Sequence, residues 1–374
     1  MKTLIGFFLL AIIVFLYVDS SRNHSHLPKK VYAIYDKNKV GELAMVNASI
    51  KSVKLACPKA EIIVKANAKF NDLSFDNSKT YLIITAGQFG VDLIKSVNKP
   101  KNIKILICTH QWFDGMENLH DIFITLPKHS IDDNIQKIAK QNRITLIPTL
   151  GVLHTMSRKT LKQQDASGIN LHDAKVGFVL AGDAEMPNGK DWSLFTADNA
   201  RKLAKEIAEF SKKTGYKILI TNGPRTGAYI NTSTKNLEAH KDGKLDPISS
   251  VFIEELQKEG LQSDKDFEFH DFQFGKPSAL KAIMALIMKN KGFMIVPGES
   301  TSFISETIAV MPAVIYENSA MNKTHHLFLK QITGHKLAYI WTSTPNQSDI
   351  ESYEPPKSQA INVVKEVLKS NSFG

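Results

Sequence analysis

The sequence predicts an α/β fold of two Rossmann-like domains facing each other across a cleft, behind an N-terminal hydrophobic anchor. Three observations carry this. Val- and Ile-rich runs of strand length recur in two series with helical segments between them, a polar stretch parts the two series, and an uncharged apolar run opens the chain.

The opening run is "LIGFFLLAIIVFLYV", Leu4 to Val18, preceded by Lys2 and followed by polar "DSSRNHSH". It is at the short end for a spanning helix of about 20 residues. Tyr17, Val18 and Asp19 stand where a small-x-small cleavage site would be, which favours an uncleaved anchor within residues 1–20 over a cleaved signal. Lys2 and the terminal amine oppose Arg22, Lys29 and Lys30 in setting the orientation, and the slight downstream excess favours a globular part on the cytoplasmic side. The only cysteines, Cys57 and Cys108, form no CxxC pair and fit a reducing side.

The first domain is expected over residues 27–168, with strands at 30–36, 61–66, 80–87, 102–110, 121–127 and 143–149. Their alternation with helical segments points to βα units and a mostly parallel sheet. The stretch "KQQDASGINLHDAK" (162–175) interrupts the pattern as a hinge. The second domain, 172–340, has strands at 176–183, 216–223, 267–272, 292–298 and 312–317. Its helix in "TADNARKLAKEIAEFSKKTGYK" has Thr196 or Asp198 as a cap, Leu203, Ile207 and Phe210 on one face, and Gly215 as a stop. In the tail, 341–374, "INVVKEVLKS" (361–370) is an amphipathic helix whose Val363, Val364, Val367 and Leu368 suit packing back onto a neighbouring domain.

The length of 374 residues suits two domains. A net charge of +10 favours an anionic surface or ligand. There is no GxxxxGK[ST], HExxH or GxSxG, and no GxGxxG after the first strand. "HSH" at 24–26 and "HH" at 325–326 stand too isolated for zinc, so no metal is expected. Basic residues are scattered among acidic ones with no recognition motif, which argues against nucleic acid. The charge is assigned to a membrane surface beside the anchor.

One stretch, "IVPGESTSFISETIAVMPAVIY" (295–316), reads as strand, loop, helix and strand. A helix opening at the carboxyl end of a parallel strand points unpaired N–H groups into the crevice. Gly298 allows close approach, and Ser300, Thr301 and Ser302 add hydroxyls, so a diphosphate fits there with Glu306 beside a ribose diol. The other reading is that Glu299 and the hydroxyl residues only cap the helix, with Glu306 on a solvated face.

"FISETIAVMPAVIY" resembles the nucleotide-sugar segment of GT-B glycosyltransferases. Residues 31–340 resemble the ELM-type mitochondrial fission protein family, whose bacterial members look like GT-B enzymes. The matching stretches include "YDKNKVGELAMVNASIKSV", "TAGQFGVDLI", "PTLGVLHTMSRKTL", "VGFVLAGDA", "LITNGPRTG" and "PGESTSFISETIAVMPAVIY". This resemblance implies a donor site with Gly182 in the loop after the first strand of the second domain, Thr221 and Arg225 in the next loop, and Thr301, Ser302, Ser305 and Glu306 on the serine-rich helix. It implies a nucleotide-sugar as substrate, with no separate cofactor. Two departures stand out. "DKNKVGELAM" replaces the family's "DGKPGHxxQ", with Glu42 in place of a His, and "LAGDAEMPNGKDW" is acidic.

GT-B chemistry calls for a general base from the first domain. By loop position the candidates are Asp36, Glu42, His110 and His154, and either His also reads as a structural, loop-orienting residue. The function expected is a membrane-associated GT-B-type glycosyltransferase moving a sugar to a lipid-linked or envelope acceptor. The alternative is a non-catalytic GT-B-like scaffold or recruiter at a membrane.

Overall fold

All eleven expected strand segments form where their β-branched runs lie, and with one further edge strand they make two parallel six-stranded sheets. The computed structural model describes residues 27–370 apart from 38, 96, 98, 187–190, 232–233 and 236–242. The expected anchor falls outside these residues. Among the described residues no helix is long and apolar enough to cross a membrane.

The first half runs β1 (Lys30–Tyr35), α1 (Val40–Ala56), β2 (Glu61–Ala66), β3 (Tyr81–Ala86), α2 (Gly87–Ile94), β4 (Ile103–Cys108), β5 (Phe123–Pro127), α3 (Asp133–Gln141) and β6 (Thr145–Thr149). Its sheet order is β2-β1-β3-β4-β5-β6. A short helix, α4 (Arg158–Leu161), leads into the second half. There follow β7 (Val176–Val179), the two-residue pair β8 (Ala184–Glu185) and β9 (Trp192–Ser193), α5 (Ala197–Thr214), β10 (Ile218–Thr221) and the small hairpin β11 (Tyr229–Asn231) with β12 (Thr234–Lys235). Then come α6 (Pro247–Lys258), β13 (Phe267–His270), α7 (Leu280–Lys289), β14 (Phe293–Pro297), α8 (Thr301–Ile308), β15 (Ala313–Tyr316), α9 (Lys323–Gly334) and β16 (Ala338–Ile340). The second sheet is ordered β13-β10-β7-β14-β15-β16, the Rossmann sequence of strands. Two helices close the described chain, α10 (Gln347–Glu351) and α11 (Ala360–Lys369).

Each sheet is buried on both faces, and that is why its strands read as unbroken apolar runs and not as alternating ones. α5 shows the local logic: Thr196 caps it by accepting the Asn199 N–H, Leu203 and Ile207 are buried, and Gly215 ends it at φ 71°. Phe210, expected on the same face, is half-buried against Tyr216, Phe293 and Trp341.

The chain changes domain at residues 150–155, upstream of the polar stretch. Val152 and Leu153 pack into the first core, while Met156, Leu161, Ile169 and Leu171 pack into the second. The buried Glu268 carboxylate of β13 holds the polar stretch down, accepting the N–H groups of Asn170 and Leu171, each at 2.8 Å. α11 returns to the first domain, where Val363, Val364, Val367 and Leu368 join its core. Lys104 of β4, 2 % exposed, donates to the carbonyls of Val367, Leu368 and Ser370 at 3.0, 3.3 and 2.6 Å. A cation thus satisfies the orphan acceptors at the negative end of that helix.

Candidate functional site

In a doubly wound sheet, the loops on either side of the point where strand order reverses leave a crevice. The first sheet has that point between β1 and β3, the second between β7 and β14. A buried glutamate occupies each one.

In the first domain it is Glu42, in the opening turn of α1 and 6 % exposed. Its carboxylate lies where a Cβ on Gly87, the first residue of α2, would stand 2.0 Å from Oε1, so only glycine leaves it room. Lys39 pairs with it at 3.5 Å, while Oε2 is buried without a hydrogen-bond partner. Burial pushes its pKa up to about 7, partly offset by Lys39 and reinforced by Asp36 and Glu185. Asp36 lies half-buried at the end of β1, and its carbonyl accepts the Lys39 N–H at 3.1 Å.

In the second domain it is Glu299, just ahead of α8 and 2 % exposed. Its carboxylate accepts the Gly182 N–H at 2.9 Å and Asn318 Nδ2–H at 2.6 Å. Burial raises its pKa, and the two hydrogen bonds and the Arg225 charge pull the other way. Gly182 serves a close approach: a Cβ there would meet the Arg225 backbone at 2.8 Å. The half-buried Arg225 guanidinium makes no hydrogen bond or ion pair with any described residue.

The two halves meet directly. Lys39 bonds Glu185 across the cleft at 3.4 Å. The start of α8 faces the start of α1, with Ser302 Oγ 3.3 Å from where a Cβ on Gly41 would be. Ser300 caps α8 by accepting the Phe303 N–H, and the N–H groups of Thr301 and Ser302 have no acceptor among the described residues. Two positive helix ends therefore adjoin one crevice together with Lys39 and Arg225.

The other anticipated residues take varied positions. Gly298 makes a close approach to Met321, whose Sδ would lie 2.4 Å from its Cβ. Thr221 is buried and donates to the His270 carbonyl at 2.8 Å. Ser305 accepts the Val152 N–H at 3.1 Å and so joins the domains. Glu306 is half-buried with no hydrogen bond to a described residue, and burial raises its pKa to about 7 against the pull of Lys281. His154 lines a hinge cavity of about 90 Å³ with Ser305, Ile308 and Gln359, where burial draws its pKa to about 4.

His110, after β4, is half-buried in the cleft, and burial together with Arg225 and Lys39 draws it to about 3. Glu299, His129 and His325 also belong to the cleft. Sequence reasoning treated Glu299 only as a cap and His325 only as half of an isolated pair, and His129 carried no motif at all.

No protein-family model matches the chain, and no curated protein matches it. Among solved structures it is similar to MurG of Acinetobacter baumannii, with 11 % identity, 92 % of this chain and 100 % of that one covered, and a TM-score of 0.42. It is similar also to a ugt transferase from Siraitia grosvenorii in complex with UDP, at 11 % identity, 91 % and 93 % coverage and a TM-score of 0.44. The N-terminal domain of a trehalose-6-phosphate phosphatase from Candida albicans matches at 8 % identity, 93 % and 94 % coverage and a TM-score of 0.41.

Proposed function

We propose that the chain is a GT-B-type glycosyltransferase taking a sugar from a nucleotide-sugar bound in the interdomain cleft. The observation that carries this is the half-buried Arg225 guanidinium, which makes no hydrogen bond or ion pair with any described residue, in the loop packed on Gly182 and with its charge acting on Glu299 just ahead of α8. A guanidinium and a helix N-terminus together are a seat for a leaving diphosphate. Glu306, further along α8 and without a hydrogen bond to a described residue, suits the ribose diol.

Glu42 is the base in this reading. Its carboxylate takes the proton of an acceptor hydroxyl as that oxygen bonds to the anomeric carbon. The bond from that carbon to phosphate breaks, and the nucleoside diphosphate leaves with the electron pair, steadied by Arg225 and the Thr301 and Ser302 N–H groups. A carboxyl near pKa 7 is matched to this task at neutral pH.

Calorimetric titration with UDP, GDP and CMP tests the reading. Micromolar binding of one of them, weakened at least tenfold in Glu306→Ala and Arg225→Gln, is the expected result. Binding of none, or equal binding by Glu306→Ala, overturns the donor-site assignment and leaves the scaffold reading.

The sequence further motivates an acceptor that is lipid-linked or part of the envelope, with the chain held at the membrane by Leu4 to Val18 and its domains in the cytoplasm, where nucleotide-sugars are. A C-terminal fusion to a phosphatase active only after export is expected to be silent. An active fusion puts the domains on the wrong side for a donor.

A further inference from the structure

The second domain carries a cavity that the donor reading does not use. Gly292 and Pro312, the residues immediately ahead of β14 and β15, line it, so it lies at the amino ends of the second sheet, whereas the cleft lies at the carboxyl ends. α4, the polar stretch after it, the last turn of α7 and α10 supply the rest of its wall. Its volume of about 880 Å³ is toward the upper end of the roughly 300–1,000 Å³ usual for small-molecule sites.

The wall divides by chemistry. Leu161, Leu286, Val310 and Met311 are at most 6 % exposed and belong to the second core, and the half-buried Met288 and Ile350 continue that apolar surface outward. Around it stand Arg158, Lys162, Lys289 and Lys291, all exposed. Among the described residues of the wall the acid is Glu351, and it is engaged by Lys291 at 3.1 Å. Lys162 and Lys289 make no hydrogen bond or ion pair with any described residue. Arg158 donates from Nε to the Val310 carbonyl at 2.8 Å and from Nη2 to the Tyr353 carbonyl at 3.0 Å. Those neutral acceptors fix the guanidinium plane and leave its charge without a carboxylate among the described residues.

This lining excludes simple occupants. An inorganic anion meets the cations but leaves the apolar floor wet, and a neutral hydrocarbon covers the floor but leaves the cations without a counter-charge. A hydrocarbon chain ending in an anionic head satisfies both, by burial of its chain and by charge-assisted hydrogen bonds to its head. A bilayer surface does not enter a recess of this kind, whereas a single chain does.

We propose that the cavity binds a single-chain anionic amphiphile, with the alkyl chain on Leu286, Met288 and Met311 and the anionic head held by Arg158, Lys162 and Lys289. The site is independent of the donor reading, and neither falls with the other.

The full chain, isotope-labelled at the methionine methyls, is titrated by NMR with dodecyl phosphate below its micelle concentration. Signals assigned through Met288→Leu and Met311→Leu report this cavity apart from any adsorption of the probe to the apolar run at Leu4 to Val18. Expected is saturable movement of the Met288 and Met311 signals while those of Met45 and Met116, in the first domain, stay in place. Affinity should be at least about tenfold weaker in Lys162→Glu/Lys289→Glu, and inorganic phosphate should move neither signal. Both lysines are exposed and unbonded to described residues, so the double variant keeps its fold, which an unchanged thermal midpoint checks. Dodecyl maltoside binding as tightly as dodecyl phosphate, or an unchanged affinity in the double variant, overturns the anionic head. Methionine signals that stay in place overturn the site, whether the face then proves to take phosphatidylglycerol vesicles, a second copy of the chain or the Leu4 to Val18 run.

Discussion

Ser305 Oγ of α8 accepts the main-chain N–H of Val152 at 3.1 Å while donating to the Thr301 carbonyl at 2.6 Å. One hydroxyl of the second domain thereby grips the backbone of the first. Gly151 leaves the space for it, since a Cβ there would stand 2.2 Å from that oxygen.

Two substitutions at this contact should loosen the cleft. Ser305→Ala strands the buried Val152 N–H and should cost about 1–3 kcal/mol. Gly151→Ala pushes against Ser305 and should enlarge the radius of gyration in small-angle scattering. An unchanged scattering curve for Gly151→Ala would show that the contact does not hold the domains together.

Glu42→Gln should trade activity for stability. The folded pKa of Glu42, about 7, exceeds its ordinary 4.5, so the native state binds more protons than the unfolded one between those values. Stability from this group is therefore greatest below about pH 4.5 and is lost as pH rises to 7, by up to about 3 kcal/mol. The variant should match wild type near pH 4.5, exceed it in urea midpoint at pH 8, and lose sugar transfer. Equal midpoints at pH 8 would mean the carboxylate is not strained.

Gly182→Ala should disable the anion seat without touching a charge. The new methyl meets the Arg225 backbone at 2.8 Å, and main chain cannot step aside as a flexible side chain can. Arg225 is displaced, and binding of UDP or pyrophosphate should fall at least tenfold while the thermal midpoint shifts by only a few degrees. Affinity equal to that of wild type would dissociate the loop from binding.

Lys104→Met should free the last helix. Three carbonyls lose a buried cationic donor, at about 2–4 kcal/mol. Limited proteolysis should then cut within 341–370 before anywhere else. A digestion pattern like that of wild type would assign the hold on α11 to its valines alone.

The strands were legible in the sequence because sheets buried on both faces demand uninterrupted apolar runs. Their observed ends lie inside the expected segments by up to four residues, as at 176–183, where the sheet keeps only Val176–Val179. β16 was not read. It is a three-residue edge strand in "LAYIWT" whose Tyr339 and Ile340 are only half-buried, too short to show a period.

The site was legible only where it is local. Ser300, Thr301 and Ser302 announce the start of α8 by residue type, and their neighbour Gly298 by size. Residues paired across the cleft give no such sign. Val152 lies 153 positions from Ser305, and His110 and His129 follow β4 and β5 while His325 stands in the first turn of α9. Nor does residue type reveal that Glu42 and Glu299 are buried, since both stand at helix starts where an exposed acid is ordinary.

The return of α11 to the first domain has a consequence for synthesis. The helix that covers one face of the first sheet beside α1 is encoded after the entire second domain. On a ribosome, α1 and β4 wait with that face open and Lys104 without its carbonyls while some 200 further residues are made. The second domain, Met156 to Ile340, is contiguous and can close as soon as it emerges. The domain made first is therefore finished last, and it is the one exposed to proteases and chaperones during translation.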